Sequence, residues 1–204
     1  MKSSSAFTLV EMLVVIAIIA ILTAASAASY RGVRNHGWRT RDRATAQQMA
    51  TAWSAYIQEE RSFDFKKGNK PYNLSGSGEY ASTLHNLWPI APYEYETDAN
   101  GKKSWVRKGT VYLEIAGEEL DRGNSIYSGS GGLLDHWKNH FYFRLDGLDD
   151  GGAYDGNVTH PNPQLKSDDK KLKKAVAIVW ATCAENARDN PKAGNPNRWV
   201  VCWQ

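Results

Sequence analysis

The chain has 204 residues, with 25 Lys and Arg against 22 Asp and Glu, which gives a net charge of +3. A charge so close to balance does not indicate a nucleic-acid partner, and this length suits one membrane segment plus one domain rather than a multidomain machine. The mean hydropathy of −0.55 is that of a soluble protein. That average conceals a strong segregation, because the apolar residues are concentrated at the N-terminus.

Residues 7–28 form one apolar run of 22 residues in which only Thr8, Glu11, Thr23 and Ser26 are polar. At about 1.5 Å per residue, a helix of this length spans the hydrocarbon core of a bilayer, roughly 30 Å. The run therefore excludes a purely cytoplasmic globular protein as the default interpretation.

Three interpretations of this run compete. Lys2 followed by the apolar run and Ala25-Ser26-Ala27 fits a secretory signal peptide with an A-x-A cleavage site. The run also fits an ordinary membrane anchor. Glu11 argues against both, since a carboxylate is costly in hydrocarbon and serves no purpose in a discarded segment. A shallow Glu11 that snorkels to the headgroups is the simplest structural alternative.

The third interpretation rests on the residues from Ser5 to Leu22, which read SAFTLVEMLVVIAIIAIL. They closely resemble the N-terminus of type IV pilins and of type II secretion pseudopilins. In that family a prepilin peptidase cuts before a Phe, which is then N-methylated, and a Glu is the fifth residue of the mature chain. The resemblance places the cut between Ala6 and Phe7 and makes Glu11 that fifth residue, although Ala6 stands where the family usually has Gly.

The resemblance has a physical rationale. Cutting before Phe7 creates an α-amino group with a pKa near 8, which a neighbouring subunit can offer to Glu11. In a low dielectric the paired carboxylate is far less costly than an unpaired one, so subunit docking sets the filament register.

The resemblance implies a filament subunit and its partners: copies of itself and other pilin-like subunits, prepilin peptidase, an inner-membrane assembly platform with its ATPase, and membrane lipid, with no nucleic acid. It also implies a single-pass inner-membrane precursor with its C-terminal domain in the periplasm, and later a periplasmic or cell-surface filament.

The charges around the run conflict with that topology. Only Lys2 precedes the run, whereas five arginines follow it, and the positive-inside rule alone would place the C-terminal part in the cytoplasm. We give the motif more weight than the charge count. Because Asp42 interrupts the arginines and Trp38 is the one aromatic residue among them, a solvated helix face is favoured over a phosphate-binding patch, with lipid headgroups as the functional variant. These arginines are Arg31, Arg34, Arg39, Arg41 and Arg43.

Apolar residues continue at spacings of three and four, which predicts one helix from Phe7 to about Arg61. They include Val33, Met49, Ala52, Trp53, Tyr56 and Ile57. We expect an α+β, pilin-like fold in which this helix packs on a small antiparallel sheet of three or four strands. The predicted organisation is a leader over 1–6, a membrane helix over 7–29, its amphipathic continuation over 30–62 and a periplasmic head over 63–204.

The middle of the chain gives weaker signals. Residues 66–82 and 123–132 are predicted as loops, and 83–87 as a short helix stopped by Pro89. Alternating apolar residues predict a strand over 110–115, and 166–174 is predicted as a solvated lysine-rich connection.

A second resemblance lies over 134–144, which reads LDHWKNHFYFR. Major pseudopilins carry D-P-W-G-N-P-Y-x-Y before the first sheet strand. Here the matching residues are Asp135, Trp137, Asn139, Phe141 and Phe143, while His136, Lys138 and His140 replace Pro, Gly and Pro. We expect Phe141 and Phe143 to share one face of a strand and pack on the long helix, with Trp137 capping that core.

Two β-branched and aromatic runs, 176–183 and 198–203, predict a terminal hairpin. They hold both cysteines, Cys183 and Cys202. A disulfide closing this loop of about 20 residues would contribute roughly 3 kcal/mol in an oxidising compartment, and resembles the C-terminal loop of many pilins. Two reduced, buried thiols are the alternative.

The sequence offers no convincing catalytic or metal site. His136 and His140 have the i,i+4 spacing of a helical zinc pair, but the residues around them predict a turn and a strand. The acidic loop with Asp146, Asp149, Asp150 and Asp155 has oxygen ligands for Ca²⁺, but the calcium-site pattern of related pseudopilins is not matched at 181–185. No G-x-S-x-G motif occurs. We therefore expect no enzymatic activity and no resident cofactor.

Overall fold

The structure, a computed structural model, describes residues 8–60, 80–83, 86–117, 132–147, 157–159, 161, 171–173, 175–183, 190, 192 and 194–202. It divides into two compact units, Met1–Thr40 and Arg41–Gln204. The predicted loops over 66–79 and 123–131, and most of the acidic loop after Asp146, lie outside the described residues.

Helix α1 runs from Leu9 to Glu60, and its first part is apolar on all sides. Leu9–Ser26 is long and apolar enough to cross a membrane by length and composition, and none of it is buried within the protein. The hydroxyls of this stretch bond to carbonyls one turn back, from Thr23 to Ile19 at 2.7 Å and from Ser26 to Leu22 at 2.8 Å. Their hydrogen bonds are thus satisfied without water, as an apolar environment requires.

The part of α1 within the second unit is amphipathic. Its buried residues recur at spacings of three and four and form one stripe, as expected for a helix that packs on one side. These residues are Ala46, Met49, Ala52, Trp53, Tyr56 and Ile57.

The described part of the second unit contains eight short strands. They are β1 (Tyr80–Ala81), β2 (Tyr93–Thr97), β3 (Lys103–Arg107), β4 (Tyr142–Leu145), β5 (Asn157–Thr159), β6 (Lys171–Lys173), β7 (Ala177–Ala181) and β8 (Val200–Val201). An antiparallel sheet has the order β1-β4-β7-β8, while β2 with β3 and β5 with β6 form separate two-stranded ribbons.

The sheet is covered on both faces. Phe143 and Val179, which are cross-strand partners, belong to the core that contains the helix stripe. The next pair, Tyr142 and Trp180, belongs to a second cluster with Val158 of β5. Neighbouring residues of a strand point to opposite faces, so the apolar run of β7 supplies both cores.

The α+β class and the long helix are confirmed, as is the terminal hairpin, since β7 and β8 pair antiparallel. The strand predicted over 110–115 is wrong. The N–H groups of Tyr112 and Leu113 both donate to the Ile90 carbonyl, at 2.9 Å each, rather than to a strand ladder. The alternation arises because Leu113 and Ile115 are buried in the helix-side core.

Other local predictions also fail. Residues 86–90 form turns rather than the short helix predicted over 83–87, although Leu87 N–H still reaches the Thr83 carbonyl at 2.9 Å. The loop predicted over 66–82 contains strand β1, and the lysine-rich connection predicted over 166–174 contains strand β6. The β2–β3 ribbon was not predicted, although its alternating Tyr93-Glu-Tyr-Glu-Thr segment and the Asp98–Gly101 turn were available signals.

Gly132 provides a test of this packing. It forms a bridge with Thr83, and a Cβ on Gly132 would overlap the Ser82 carbonyl oxygen, a backbone atom that cannot rotate away. We expect Gly132→Ala to destabilise the protein by about 2 kcal/mol, typical of overpacking, in urea unfolding of the full chain in detergent. The matched Gly109→Ala variant, whose Cβ would lie 3.6 Å from Pro92 Cγ, should change stability by less than about 0.5 kcal/mol. Equal stability of the two variants would contradict this description of the bridge.

Candidate functional site

The first candidate site is the start of α1. The backbone N–H and the hydroxyl of Thr8 each donate to Glu11 Oε2 at 2.8 Å, and Glu11 N–H donates to Thr8 Oγ1 at 3.2 Å. This reciprocal arrangement is a capping box, which satisfies N–H groups that the first turn of a helix leaves open. Ala6 and Phe7, the predicted cleavage and methylation residues, lie outside the described residues.

The capping box leaves the Glu11 carboxylate able to accept further hydrogen bonds. A carboxylate has about four lone-pair sites, whereas the bonds from Thr8 reach one of its two oxygens. Glu11 can thus cap its own helix and still accept an ammonium group from another chain. The apolar side chains on both sides of Glu11 are exposed, for example Leu9 at 79% and Ile21 at 69%. A helix apolar all round requires lipid or other helices around it.

The second candidate site is the turn that leads into β4. Asp135 organises it: one carboxylate oxygen accepts the N–H groups of Trp137 at 2.9 Å and of Asn139 at 2.8 Å, and the other accepts Asn139 Nδ2 at 3.2 Å. Asp135 N–H also donates to the Asn139 carbonyl at 2.8 Å. These hydrogen bonds join the first and last residues of the turn, Asp135 and Asn139, and so fix where β4 begins.

Lys138 adopts the left-handed conformation in this turn, with φ of 66°. This is the position at which the family resemblance has Gly, the residue that adopts positive φ at the least steric cost. The turn therefore has the backbone conformation that favours Gly, although Lys138 stands there. The left-handed conformation is energetically unfavourable for Lys138.

A hydrogen bond between a histidine and a buried aspartate connects this turn to the helix. His136 Nδ1 lies 2.7 Å from Asp42 Oδ1, and Asp42 is only 3% exposed. Asp42 Oδ2 has no hydrogen-bond partner among the residues that the structure describes. Burial raises the pKa of the Asp42 carboxyl, and the hydrogen bond from His136 opposes that rise. His136 is thus the hydrogen-bond partner of Asp42, whose only feature in the sequence is that it interrupts the arginine run.

Asp135 is also buried, and this burial raises its pKa to about 6 against the lowering effect of the Asn139 hydrogen bonds. The negative charge of Asp42 contributes to the same rise. Two carboxyls with raised pKa values therefore lie at one junction between α1 and the turn.

The predicted packing residues lie in different environments. Phe141 and Phe143 are almost fully buried in the helix-side core. The Phe143 ring is 5.1 Å from the Trp53 ring of α1 and 5.7 Å from Tyr80, so this strand packs directly on the helix. Trp137 is only half-buried.

The predicted disulfide is not formed: Cys183 and Cys202 are not joined in the structure. Cys202 N–H donates to the Val179 carbonyl at 3.1 Å, which continues the register in which Val201 faces Trp180. Cys202 therefore lies opposite a residue four positions before Cys183. This offset in register keeps the two cysteines from facing each other across the hairpin, as a disulfide requires. Burial also raises the pKa of the Cys202 thiol, which lowers its reactivity.

The imidazoles of the suggested zinc pair do not share a helix. His136 lies in the turn beside Asp42, and His140 forms a β-bridge with Leu134. Within the described ranges no group of three or more His, Cys, Asp or Glu side chains is arranged to hold a metal. Of the acidic loop, Asp146 is described and is buried, while Asp149, Asp150 and Asp155 lie outside the described residues.

Residues 1–27 match the family model described as the prokaryotic N-terminal methylation motif. This is the prepilin-type motif of type IV pilins and pseudopilins, which prepilin peptidase cleaves, so the resemblance seen at the N-terminus is confirmed. Together with the apolar helix it fits an inner-membrane-anchored precursor. No curated protein and no solved structure matches the chain.

The left-handed residue of the turn gives a stability prediction. Lys138→Gly should raise the free energy of unfolding by about 1 kcal/mol, because Gly adopts positive φ without a Cβ clash. Lys138→Ala also removes the charged side chain but keeps the Cβ, so it should give no gain. Thermal or urea unfolding of the full chain in detergent measures both, and equal effects of the two variants would contradict the assignment.

The buried Asp135 gives a pH prediction. Its folded pKa of about 6 lies above the ordinary 3.8, so its contribution to stability is fully present below pH 3.8 and is lost as the pH rises through 6. Asp135→Asn cannot ionise. The stability of the variant relative to the wild type should therefore increase by up to about 3 kcal/mol between pH 4 and pH 8 in urea unfolding. A difference that stays constant over this range would refute the prediction.

Proposed function

We propose that this chain, whose N-terminus is a prepilin-type motif, is a structural subunit of a type II secretion pseudopilus or type IV pilus-like filament. Prepilin peptidase cuts the precursor before Phe7, the new N-terminus is methylated, and the apolar part of α1 joins the helical core of the filament. The observation that carries this proposal is the match over residues 1–27, which includes a carboxylate in an otherwise apolar helix.

The geometry of the helix supports assembly. Leu9–Ser26 is apolar and unburied within the chain, so the subunit requires apolar surroundings for this segment. Lipid supplies them before assembly and neighbouring helices supply them afterwards. Glu11 accepts hydrogen bonds from Thr8 at one oxygen, which leaves it able to pair with the α-amino group of a neighbouring Phe7. The subunit itself acts as scaffold rather than as enzyme, and it takes no cofactor.

The partners follow from this role. They are further copies of the chain and other pilin-like subunits, together with the peptidase, an inner-membrane platform and its ATPase. The precursor resides in the inner membrane with the second unit, Arg41–Gln204, in the periplasm, and the assembled filament is periplasmic or exposed at the cell surface.

The alternative is a secreted binding protein whose first 27 or so residues are a signal peptide. One observation favours it, since Ala25-Ser26-Ala27 is an A-x-A cleavage site after the apolar run. Against it, a signal peptide has no use for the polar pair that Glu11 makes with Thr8 at the start of the helix.

Removal of the Glu11 charge tests assembly. Glu11→Gln keeps the size of the side chain and its ability to accept from Thr8, but it cannot neutralise a neighbouring ammonium group. We expect sheared, high-speed-pelleted filaments to fall at least tenfold relative to wild type, since an unpaired charge in a low dielectric costs several kcal/mol.

The matched control is Glu60→Gln, which removes the same charge from an exposed position at the other end of α1. It should assemble normally. Filaments of Glu11→Gln in wild-type yield would contradict the charge-pairing mechanism.

A further inference from the structure

Three side chains beyond the apolar part of α1 form one continuous surface. The Arg34 guanidinium carbon lies 4.5 Å from the centroid of the Trp38 ring and 5.9 Å from that of the Tyr30 ring. Residues four apart lie on the same helix face, so the cation stands between two aromatic rings. Tyr30 is 64% exposed and Arg34 is exposed, while Trp38 is half-buried. We call Tyr30, Arg34 and Trp38 the Tyr-Arg-Trp stripe.

The stripe begins at the height of lipid headgroups. The apolar segment Leu9–Ser26 ends four residues before Tyr30 and eight residues before Arg34. Along the helix axis, these backbones therefore lie about 6 and 12 Å beyond the end of the segment. The headgroup layer adds about 5–8 Å to each side of the hydrocarbon core. Helical side chains tilt toward the helix N-terminus, here toward the bilayer, and arginine snorkels to the interface. The Tyr30 hydroxyl and the Arg34 guanidinium therefore reach the phosphate level.

The sequence around the stripe carries an excess of positive charge. Between residues 30 and 58 the sequence has five arginines and one acidic residue, Asp42. Asp42 is buried, its Oδ1 lies 2.7 Å from His136 Nδ1, and its charge acts on Arg41. The contact with the Trp38 ring also restricts the position of the Arg34 guanidinium, whose N–H groups suit bidentate binding of a phosphate.

We propose that the Tyr-Arg-Trp stripe binds the phosphate of an anionic phospholipid at the membrane surface. Five arginines on the exported side are unfavourable under the positive-inside rule. Anionic headgroups that pair with them would offset this unfavourable charge distribution. The depth of Tyr30 and Arg34 favours lipid over a second copy of the chain as the occupant. This inference rests on the proposed function only in placing Leu9–Ser26 in a membrane, and it does not require a filament.

The test uses the full chain, reconstituted as monomers in phosphatidylcholine vesicles with trace spin-labelled phosphatidylglycerol or spin-labelled phosphatidylcholine. Electron paramagnetic resonance gives the ratio of the two lipids in contact with the protein. Because one arginine near an anionic lipid contributes about 1 kcal/mol, Arg34→Gln should lower the preference for phosphatidylglycerol by about threefold to fivefold. Circular dichroism verifies that the helix is retained.

The control is Arg43→Gln, the same charge change at an exposed position nine residues further along the chain, which should leave the lipid preference unchanged. An equal loss in both variants would show general charge attraction and overturn the site. An unchanged preference in Arg34→Gln would also overturn it and would assign the stripe to a protein partner. Because the assay uses monomers, a failure to form filaments affects neither reading.

Discussion

A carboxylate inside an apolar helix is the constraint on which the behaviour of this protein depends. Glu11 lies near the start of a helix whose first part is unburied within the chain, and its own chain supplies it with hydrogen bonds from Thr8 but with no countercharge among the contacts that the structure describes. An ammonium group created by proteolysis at Phe7 is a suitable countercharge. In the proposed filament this links cleavage to assembly, because the step that would remove the leader would also create the group that pairs with Glu11.

The same helix contributes the core of the second unit. Trp53 packs on Phe143, and the apolar stripe of α1 covers one face of a sheet whose other face is covered by a second cluster. Close to where this part of the helix begins, Asp42 is held by His136, and the adjoining turn is organised by Asp135. Burial of both carboxyls raises their pKa values, so the stability of this junction depends on pH.

The sequence predicts those features that depend on local pattern. The helix, the terminal hairpin and the N-terminal motif each have a periodicity or spacing that is readable without the fold. The Asp42–His136 pair was missed because its members are 94 residues apart and because a lone Asp within a run of arginines gives no signal of burial. The prediction of a disulfide was wrong for a similar reason. Two cysteines on the strands of one hairpin face each other only in one register, and the sequence does not fix that register.

The β2–β3 ribbon was missed although its alternation was present, and the false strand over 110–115 shows that alternation also arises in irregular chain packed on a core. Lys138 is a different case. The family pattern has Gly there, and the positive φ of Lys138 gives the physical reason.

The N-terminal sequence and intact mass of the protein recovered from native cells show directly whether the chain is processed as a prepilin. We expect a chain that begins at N-methylated Phe7. A chain that begins at Ala28 or Ser29 would contradict this expectation and would make the apolar run a signal peptide.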